Sequence, residues 1–146
     1  MTLPPPRMLD LLALPAARRR RIHTVTDIED VILEGLPAGA MRKLRDALGL
    51  SISSFARLAG VSPRSVIAAN GRSGKLDPLV SDRLARIAKI VAHAEEVFGS
   101  HEKAQRWLDK PVHALGGRRP FEKLTTDPGA SQVEDVLAAI EHGVYV

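Results

Sequence analysis

The sequence predicts an all-α fold in which an N-terminal helix-turn-helix bundle is joined by a long helix to a small helical C-terminal domain. Three observations predict it. Apolar residues recur at i, i+3, i+4 and i+7 in several segments, which is the spacing of one buried helix face. Glycine or proline closes most of these segments. Residues 52–71 place two such segments around one glycine, as in a helix-turn-helix.

The first residues predict a tail outside the folded part of the chain. We expect residues 1–23 to form a flexible Pro/Arg-rich tail, with one helical turn at residues 8–14. The tail differs from a signal peptide because its arginines follow the apolar segment and Asp10 interrupts that segment. The arginine run at 18–21 is either a phosphate-contacting arm or a solvated run of charge. The remaining boundaries are a helix-turn-helix domain at 24–80, a connecting helix at 81–98 and a C-terminal domain at 99–146.

Composition argues against an enzyme and against a membrane protein. The chain has no cysteine, so it offers no disulfide and no thiol nucleophile, which suits a reducing cytoplasm. Its five histidines lack metal-ligand spacing, and it has no phosphate-cradling glycine loop. No apolar run is long enough to span a bilayer. We therefore expect a cytoplasmic, non-catalytic binding protein that uses no cofactor and no metal.

Charge is distributed unevenly along the chain. Residues 38–92 carry ten Lys or Arg against three acids, whereas residues 93–146 carry six against nine. Residues 24–37 carry four acids and no Lys or Arg. A basic middle beside an acidic end predicts that a polyanion binds in one place and a different partner in the other.

Two short helices are predicted before the helix-turn-helix. Thr26 or Asp27 can cap the first, which Gly35 and Pro37 end. The second is expected to end at Gly49. Their apolar stripes consist of Ile28, Val31 and Ile32 in the first helix and of Met41, Leu44 and Leu48 in the second.

Residues 52–71 match the positional needs of a helix-turn-helix. Gly60 supplies the turn, Ser62 caps the second helix, and Pro63 takes the first helical position, where its missing N–H costs nothing. This geometry would put the first turns of the second helix on base edges in a major groove. The apolar residues expected between the two helices are Ile52, Phe55, Ala56, Val61, Val66 and Ala69.

The candidate DNA contacts lie on and just after this second helix. Arg64 can pair bidentately with guanine and Asn70 with adenine, while Ser62 and Ser65 are further exposed candidates. Arg57, Arg72 and Lys75 are better placed to contact phosphate. Ile67 and Ala68 offer only apolar contact to thymine methyl groups, so the base-reading set is small.

A long helix follows, and then a segment dense in glycine and proline. Ser81 is expected to cap the long helix, which Gly99 ends after Phe98, and Ser100 caps the helix that carries Trp107. The apolar stripe of the long helix consists of Leu84, Ile87, Ala88, Val91, Ala94 and Phe98. Such a stripe fits either a monomer core helix or a helix shared with a second copy.

The last forty residues are expected to form short pieces and then one helix. The breaks are Pro111, Gly116, Gly117, Pro120, Pro128 and Gly129. In the final helix, Ser131 and Glu134 are expected to form a capping box, and Gly143 stands where a left-handed cap belongs. Its apolar face would be Val133, Val136, Leu137 and Ile140. Trp107, Leu115 and Leu124 are interpreted as core residues of this domain.

These same residues resemble a known family. The chain carries W-L-x-x-P, then A-L-G-G-R-R-P-F-E-K-L-x-T, then G-A-x-x-V-E-D-x-L and E-H-G-V-Y. The set resembles the C-terminal toxin-binding domain of the Xre/MbcA/ParS-type antitoxins, the partners of RES-domain toxins that act on NAD. The resemblance implies an Xre-like helix-turn-helix domain, a homodimer formed through the long helix at 81–98, operator DNA as a ligand, and a higher-order complex with the toxin.

The resemblance also implies that residues 107–146 bind the toxin, and within this unit we select candidate contact residues. The candidates are Arg118, Arg119, Glu141, His142, Gly143, Val144, Tyr145 and Val146. A small domain wedged at an NAD pocket would inhibit by occlusion, without chemistry of its own. Alternatively, Arg118 and Arg119 form only an exposed turn. For the whole chain, the alternatives are a plain dimeric repressor without an enzyme partner and a DNA-partition or scaffold protein.

Overall fold

The structure, a computed structural model, describes residues 4–71 and 73–143. Nine α-helices lie within these ranges, with two isolated bridges in place of strands, so the all-α prediction is confirmed. Two 3-10 helices, His113–Leu115 and Pro120–Thr125, connect the last two α-helices. The α-helices are α1 Pro6–Leu11, α2 Ala16–Arg19, α3 Val25–Glu34, α4 Ala40–Leu48, α5 Ile52–Ala59, α6 Pro63–Ala69, α7 Pro78–Phe98, α8 His101–Leu108 and α9 Asp127–Glu141.

The longest helix, α7, forms the centre of the molecule. It buries the predicted stripe except Phe98, which is half-buried, and further side chains around the stripe, including Ala85, Ile90 and Ala92. Helices α1, α3, α4 and α5 pack on it from one half of the chain, and α8 and α9 pack on it from the other. A helix that is apolar on most of its surface is buried in this way. The predicted connector is thus a shared core helix, and one apolar cluster runs through both halves.

The start of α7 differs from the prediction. Asp77 is its N-cap and accepts from the amide of Val80, while Pro78 occupies the first turn. Ser81 lies inside the helix and is fully buried, with its Oγ accepting from the amide of Leu36 at 2.8 Å. The prediction of Ser81 as a cap was therefore wrong, because the hydroxyl serves a distant backbone group instead.

The prediction of a mobile tail at residues 1–23 was also wrong for the residues that the structure describes. Helix α1 packs on α7 and α4 and buries Met8, Leu9 and Leu11, and Leu12 directly after it is buried as well. Its polar side is anchored too, because Arg7 donates to Glu95 of α7 at 2.8 Å. Burial of several large aliphatic side chains outweighs the prolines that suggested disorder.

Helices α3 and α4 follow the prediction apart from one cap. Thr24 caps α3 by a capping box with Asp27, two residues before the predicted Thr26. Gly35 ends α3, and left-handed Gly49 ends α4 with a φ of 64°. In α4, the predicted stripe of Met41, Leu44 and Leu48 is buried.

The C-terminal half is built on α8 and α9. Ser100 caps α8 as predicted, and Trp107 is half-buried against Phe98, with ring centroids 5.3 Å apart. Thr126 caps α9 by accepting from the amide of Gly129, so the predicted Ser131–Glu134 capping box was wrong. Pro128 lies in the first turn of α9, where its missing N–H is tolerated.

The 3-10 helix Pro120–Thr125 joins the two halves of the chain. It packs on α9 and also on α5, the first helix of the helix-turn-helix. Leu115 and Leu124 are buried in the common core, as predicted for this region. Among the described helices, none is both long and apolar enough to cross a membrane.

Candidate functional site

Helices α5 and α6 form the predicted helix-turn-helix. Gly60 takes the left-handed conformation at the turn, with a φ of 71°. Ser62 caps α6 by accepting from the amide of Ser65, and Pro63 stands at the first helical position. Phe55, Ala56, Val66 and Ala69 are buried, while Ile52 and Val61 are half-buried. The spacing therefore places α6 on a rigid support with its outer face in solvent.

Arg83 of α7 clamps the turn between α5 and α6. Its guanidinium donates to the carbonyl oxygens of Ala59 and Gly60, each at 3.4 Å. A Cβ at Gly60 would collide with this guanidinium. Sequence reasoning missed Arg83, because a contact between residues 23 positions apart along the chain leaves no local pattern.

The predicted phosphate and base contacts are exposed along this unit. Arg57 and Arg64 form no ion pair with any residue that the structure describes, so their guanidinium groups remain available. Ser62 and Ser65 share a hydrogen bond of 2.9 Å between their hydroxyls. Arg72 lies outside the described residues. Ile67 is 58% exposed at the predicted base-reading surface.

Two of the predicted DNA contacts have intramolecular partners. Asn70 accepts from the guanidinium of Arg42 at 3.2 Å, which leaves its amide nitrogen as a donor. Lys75 lies 3.8 Å from the carboxylate of Glu34, which also accepts from Arg18 at 2.7 Å. The same network brings one arginine of the N-terminal run beside the helix-turn-helix. Arg42 is a residue that sequence reasoning missed, since nothing in α4 alone signals its reach to Asn70.

Arg118 and Arg119 have different environments at the turn after α8. The Arg118 backbone accepts from the amide of Val112, and its side chain is exposed. Arg119 instead donates to Glu122 at 2.6 Å and to Asp109 at 3.0 Å, and it lies over the ring of Phe121. Hydrogen bonding to Glu122, with that to Asp109, raises the pKa of Arg119. Arg119 thus ties the turn together, whereas the exposed side chain of Arg118 forms no ion pair with any residue that the structure describes.

The end of α9 carries the other predicted contacts. Glu141, His142 and Gly143 are exposed, and Gly143 is left-handed with a φ of 78°, as predicted for a helix end. Val144, Tyr145 and Val146 lie outside the described residues. Glu141 also lies 3.4 Å from Nε2 of His93 on α7, an interaction that sequence reasoning did not anticipate.

The described residues contain no group of three or more His, Asp or Glu side chains able to hold a metal ion. The polar clusters that do occur are ion pairs and helix caps, such as the one joining Arg86 to Asp127 at 2.8 Å. The predicted contacts that the structure describes lie on two exposed surfaces: the outer face of α6 with the loop after it, and the turn at Arg118 together with the end of α9.

The fold and these surfaces define a helix-turn-helix protein with a compact helical binding domain at its C-terminal end. Two family models match it. Residues 27–89 match the antitoxin Xre-like helix-turn-helix domain, and residues 93–143 match the antitoxin Xre/MbcA/ParS C-terminal toxin-binding domain. The chain belongs to the Xre antitoxin family and is an antitoxin of a toxin–antitoxin system.

Individual relatives cover most of the chain. It is 31% identical over 115 residues to an antitoxin Xre of Photorhabdus laumondii, with 78% of each protein covered. It is 29% identical over 135 residues to an antitoxin Xre of Yersinia enterocolitica, covering 92% of this chain and 87% of that relative. It is also similar to a chain of the crystal structure of the M. tuberculosis MbcT–MbcA toxin–antitoxin complex. That match has a TM-score of 0.57 and 25% identity, and it covers 75% of this chain and 96% of the other.

Proposed function

We propose that this antitoxin neutralises a RES-domain toxin, an enzyme that consumes NAD, by occluding the toxin's NAD pocket. The observation that carries the proposal is the match of residues 93–143 to a toxin-binding domain, in which Glu141, His142 and Gly143 at the end of α9 are exposed. The buried face of α9 already packs on α7 and on the 3-10 helix Pro120–Thr125. The end of α9 and the segment 144–146 that follows it are then the parts left to enter a partner's cavity.

The surroundings of the proposed contact residues indicate that they have different roles in binding the toxin. Arg118 is exposed beside Gly116 and Gly117, so it can meet acidic groups or a diphosphate-binding pocket. Arg119 is held by Asp109 and Glu122, and its role in the contact is to fix the turn that presents Arg118. Tyr145 supplies a large amphipathic side chain of the type that is enriched at interface centres.

We further propose that a homodimer binds operator DNA and represses its own operon in the cytoplasm, joining the toxin in a higher-order complex. The support is the intact geometry of α5 and α6 with Arg57 and Arg64 exposed on it. A two-fold dimer would place its two copies of α6 on successive half-sites of the operator.

Co-purification tests the toxin proposal. The chain is tagged and co-expressed with the product of the adjacent reading frame, and NAD is followed in the cells and in the purified fraction. We expect a complex of fixed stoichiometry and stable NAD. Arg118→Ala should weaken the complex by about 1–2 kcal/mol, as for a residue at an interface centre.

Lys103→Ala is the matched control, because Lys103 is an exposed cation on α8 that is not among the proposed contacts. It should leave the complex unchanged. If no protein co-purifies while the chain still binds its promoter, the chain is a plain dimeric repressor and the toxin proposal is wrong.

Salt-dependent DNA binding tests the second proposal. The dissociation constant for the chain's own promoter is measured at several salt concentrations. Arg57→Ala should lower the salt slope by about one unit, as for one lost phosphate contact, and weaken all sequences alike. Arg64→Ala should instead cost about 1–3 kcal/mol and relax the preference for the promoter. Equal, salt-independent effects of both substitutions would contradict this assignment.

A further inference from the structure

An arginine of α4 and an asparagine at the end of α6 form a pair at the edge of the helix-turn-helix. Arg42 donates from Nη1 to Oδ1 of Asn70 at 3.2 Å, although the two residues are 28 positions apart along the chain. Both side chains are exposed. Asn70 is the C-cap residue of α6, and Arg42 lies in the first turn of α4. The pair therefore joins the end of the predicted recognition helix to a neighbouring helix.

Backbone contacts hold the two helices of this pair at a fixed distance. Helix α4 packs on α6, and the loop that follows α6 is bonded to the segment that precedes α4. The amide of Ala38 donates to the carbonyl oxygen of Gly74 at 3.0 Å, and the amide of Leu76 donates to that of Leu36 at 2.8 Å. The two side chains are thus brought together by the fold, before any ligand binds.

The hydrogen bond decides which kind of ligand group the pair can satisfy. An asparagine contacts adenine bidentately by accepting at Oδ1 and donating from Nδ2. Here Oδ1 of Asn70 already accepts from a cation, whereas Nδ2 and the other guanidinium N–H groups of Arg42 are donors. A negatively charged group that only accepts hydrogen bonds suits both side chains. The adenine edge suits them less well, because its N6 amino group is itself a donor.

The charge of Arg42 is only weakly opposed within the protein. Among the residues that the structure describes, its carboxylate neighbour is Asp46, with 3.9 Å between Nε and Oδ2. The two side chains are 65% and 66% exposed, so water screens this pair and its contribution is small. Arg42 therefore keeps a positive charge that can attract an external anion.

The length of α6 indicates that this anion is a DNA phosphate. The helix has 7 residues, from Pro63 to Ala69, and it is therefore about 10 Å long. The major groove is about 12 Å wide. When the first turns of a recognition helix contact base edges, a helix of this length places its last residue near the phosphates that line the groove.

We propose that Arg42 and Asn70 together bind one phosphate of the operator, Arg42 through its guanidinium and Asn70 through its Nδ2 amide group. This inference rests on the proposed binding of operator DNA. It adds Arg42 to the DNA contacts, and it changes the role of Asn70 from reading adenine to positioning the protein on the DNA backbone. Base preference is then left to the first turns of α6, which carry Ser62, Arg64 and Ser65.

Salt titrations of the full chain test the contribution of Arg42. The probes are a duplex with the chain's own promoter and a duplex of the same length with a scrambled sequence. Arg42→Gln should raise the dissociation constant about threefold to tenfold on both duplexes. It should also lower the salt slope by about one unit, as for one lost phosphate contact. Arg42→Lys keeps the charge and should retain the slope.

Arg106→Gln is the matched control, because it removes an exposed arginine of α8 that is not among the proposed contacts. It should leave the dissociation constants and the salt slope unchanged. Arg42 and Asn70 are exposed as well, so all of these variants should melt with the wild type, which circular dichroism checks.

Substitutions of Asn70 test whether it shares the same phosphate. Asn70→Ala removes a neutral donor, so it should weaken binding to both duplexes without changing the salt slope. Asn70→Asp presents a carboxylate to the phosphate and should weaken binding further. The double variant Arg42→Gln/Asn70→Ala should lose less affinity than the two single losses combined, because both side chains bind one group. Independent losses would show two separate contacts and overturn the proposal.

Promoter duplexes in which single base pairs are replaced in turn separate a phosphate contact from a base contact. Asn70→Ala should show the same pattern of base preference as the wild type. A preference that Asn70→Ala or Arg42→Gln loses at one base pair alone would assign that residue to a base and overturn the proposal.

The outcomes also separate this proposal from the one on which it depends. If the wild-type chain does not bind its promoter, both fall. If it binds, and Arg42→Gln has the same dissociation constants and the same salt slope, only the phosphate pair is wrong.

Discussion

Ser81 shows how a single hydroxyl can hold two distant parts of this fold together. It is fully buried in α7, and its Oγ accepts from the amide of Leu36, which follows α3. A backbone N–H with no partner in a dry core carries a desolvation cost. The segment between α3 and α4 therefore depends on a side chain that local sequence patterns suggest is only a helix cap.

Replacing Ser81 by alanine should destabilise the protein by about 1–3 kcal/mol, because the amide of Leu36 loses its acceptor without gaining water. The free energy of unfolding is measured by urea denaturation. Ser53→Ala, an exposed position of α5, is the control and should change stability by less than about 0.5 kcal/mol. Equal effects of the two substitutions would show that the Leu36 amide is satisfied by other means.

Helix caps show where sequence reasoning was accurate at the residue scale and where it was not. Ser62 and Ser100 were placed correctly, because each immediately precedes a clear apolar spacing. The true caps of α7 and α9, Asp77 and Thr126, lie before a proline in the first turn. Pro128 was interpreted as a break, although a proline at the start of a helix loses no hydrogen bond.

At the scale of elements, the helix-turn-helix is the part that sequence spacing predicted best. Its requirements are local: a glycine in the turn, a cap and small residues where α5 and α6 cross. The clamp by Arg83 is not local, since it joins α7 to the turn. The spacing thus predicts the motif but not the residue that fixes its angle to the core.

Gly60→Ala tests the clamp. A non-glycine residue in the left-handed conformation costs about 1 kcal/mol, and here the added Cβ must also displace the guanidinium of Arg83. Gly71→Ala provides the comparison, because Gly71 has a φ of 74° with open space around it. Thermal melting should show a larger loss for Gly60→Ala. Indistinguishable melting temperatures would mean that Arg83 moves aside freely.

At the scale of the whole molecule, α7 joins what appear in the sequence as separate modules. Helix α1, the helix-turn-helix and the C-terminal half all pack on it, within one apolar cluster. The expected mobile tail was inferred from its prolines and from its charge composition. Neither property predicts that Met8, Leu11 and Leu12 pack against apolar side chains of helices far along the chain.

Acid should loosen the attachment of α1 to the core. Burial opposes ionisation of Glu95, but hydrogen bonds from Arg7 and His101 outweigh it and hold the pKa of Glu95 below its usual range. A hydrogen bond from Lys43 likewise lowers the pKa of Asp10. Carboxyls with depressed folded-state pKa values contribute stability above their unfolded pKa, and this contribution is lost as the pH falls through the folded pKa. The loss therefore belongs below about pH 4.

The melting temperature, followed between about pH 6 and pH 3, measures this effect across the range of carboxyl titration. Glu95→Gln should begin with a lower melting temperature at neutral pH and fall less steeply on acidification, because its titrating group is gone. A fall as steep as that of the wild type would place the acid sensitivity elsewhere in the molecule.

The most direct test of the central claim is a titration of the purified chain into the purified product of the adjacent toxin gene, with NAD consumption as the readout. If the chain is an antitoxin that occludes the NAD pocket, activity should fall linearly to zero at a fixed molar ratio, and excess NAD should slow the onset of inhibition. Undiminished NAD consumption with the folded chain in excess would contradict the account.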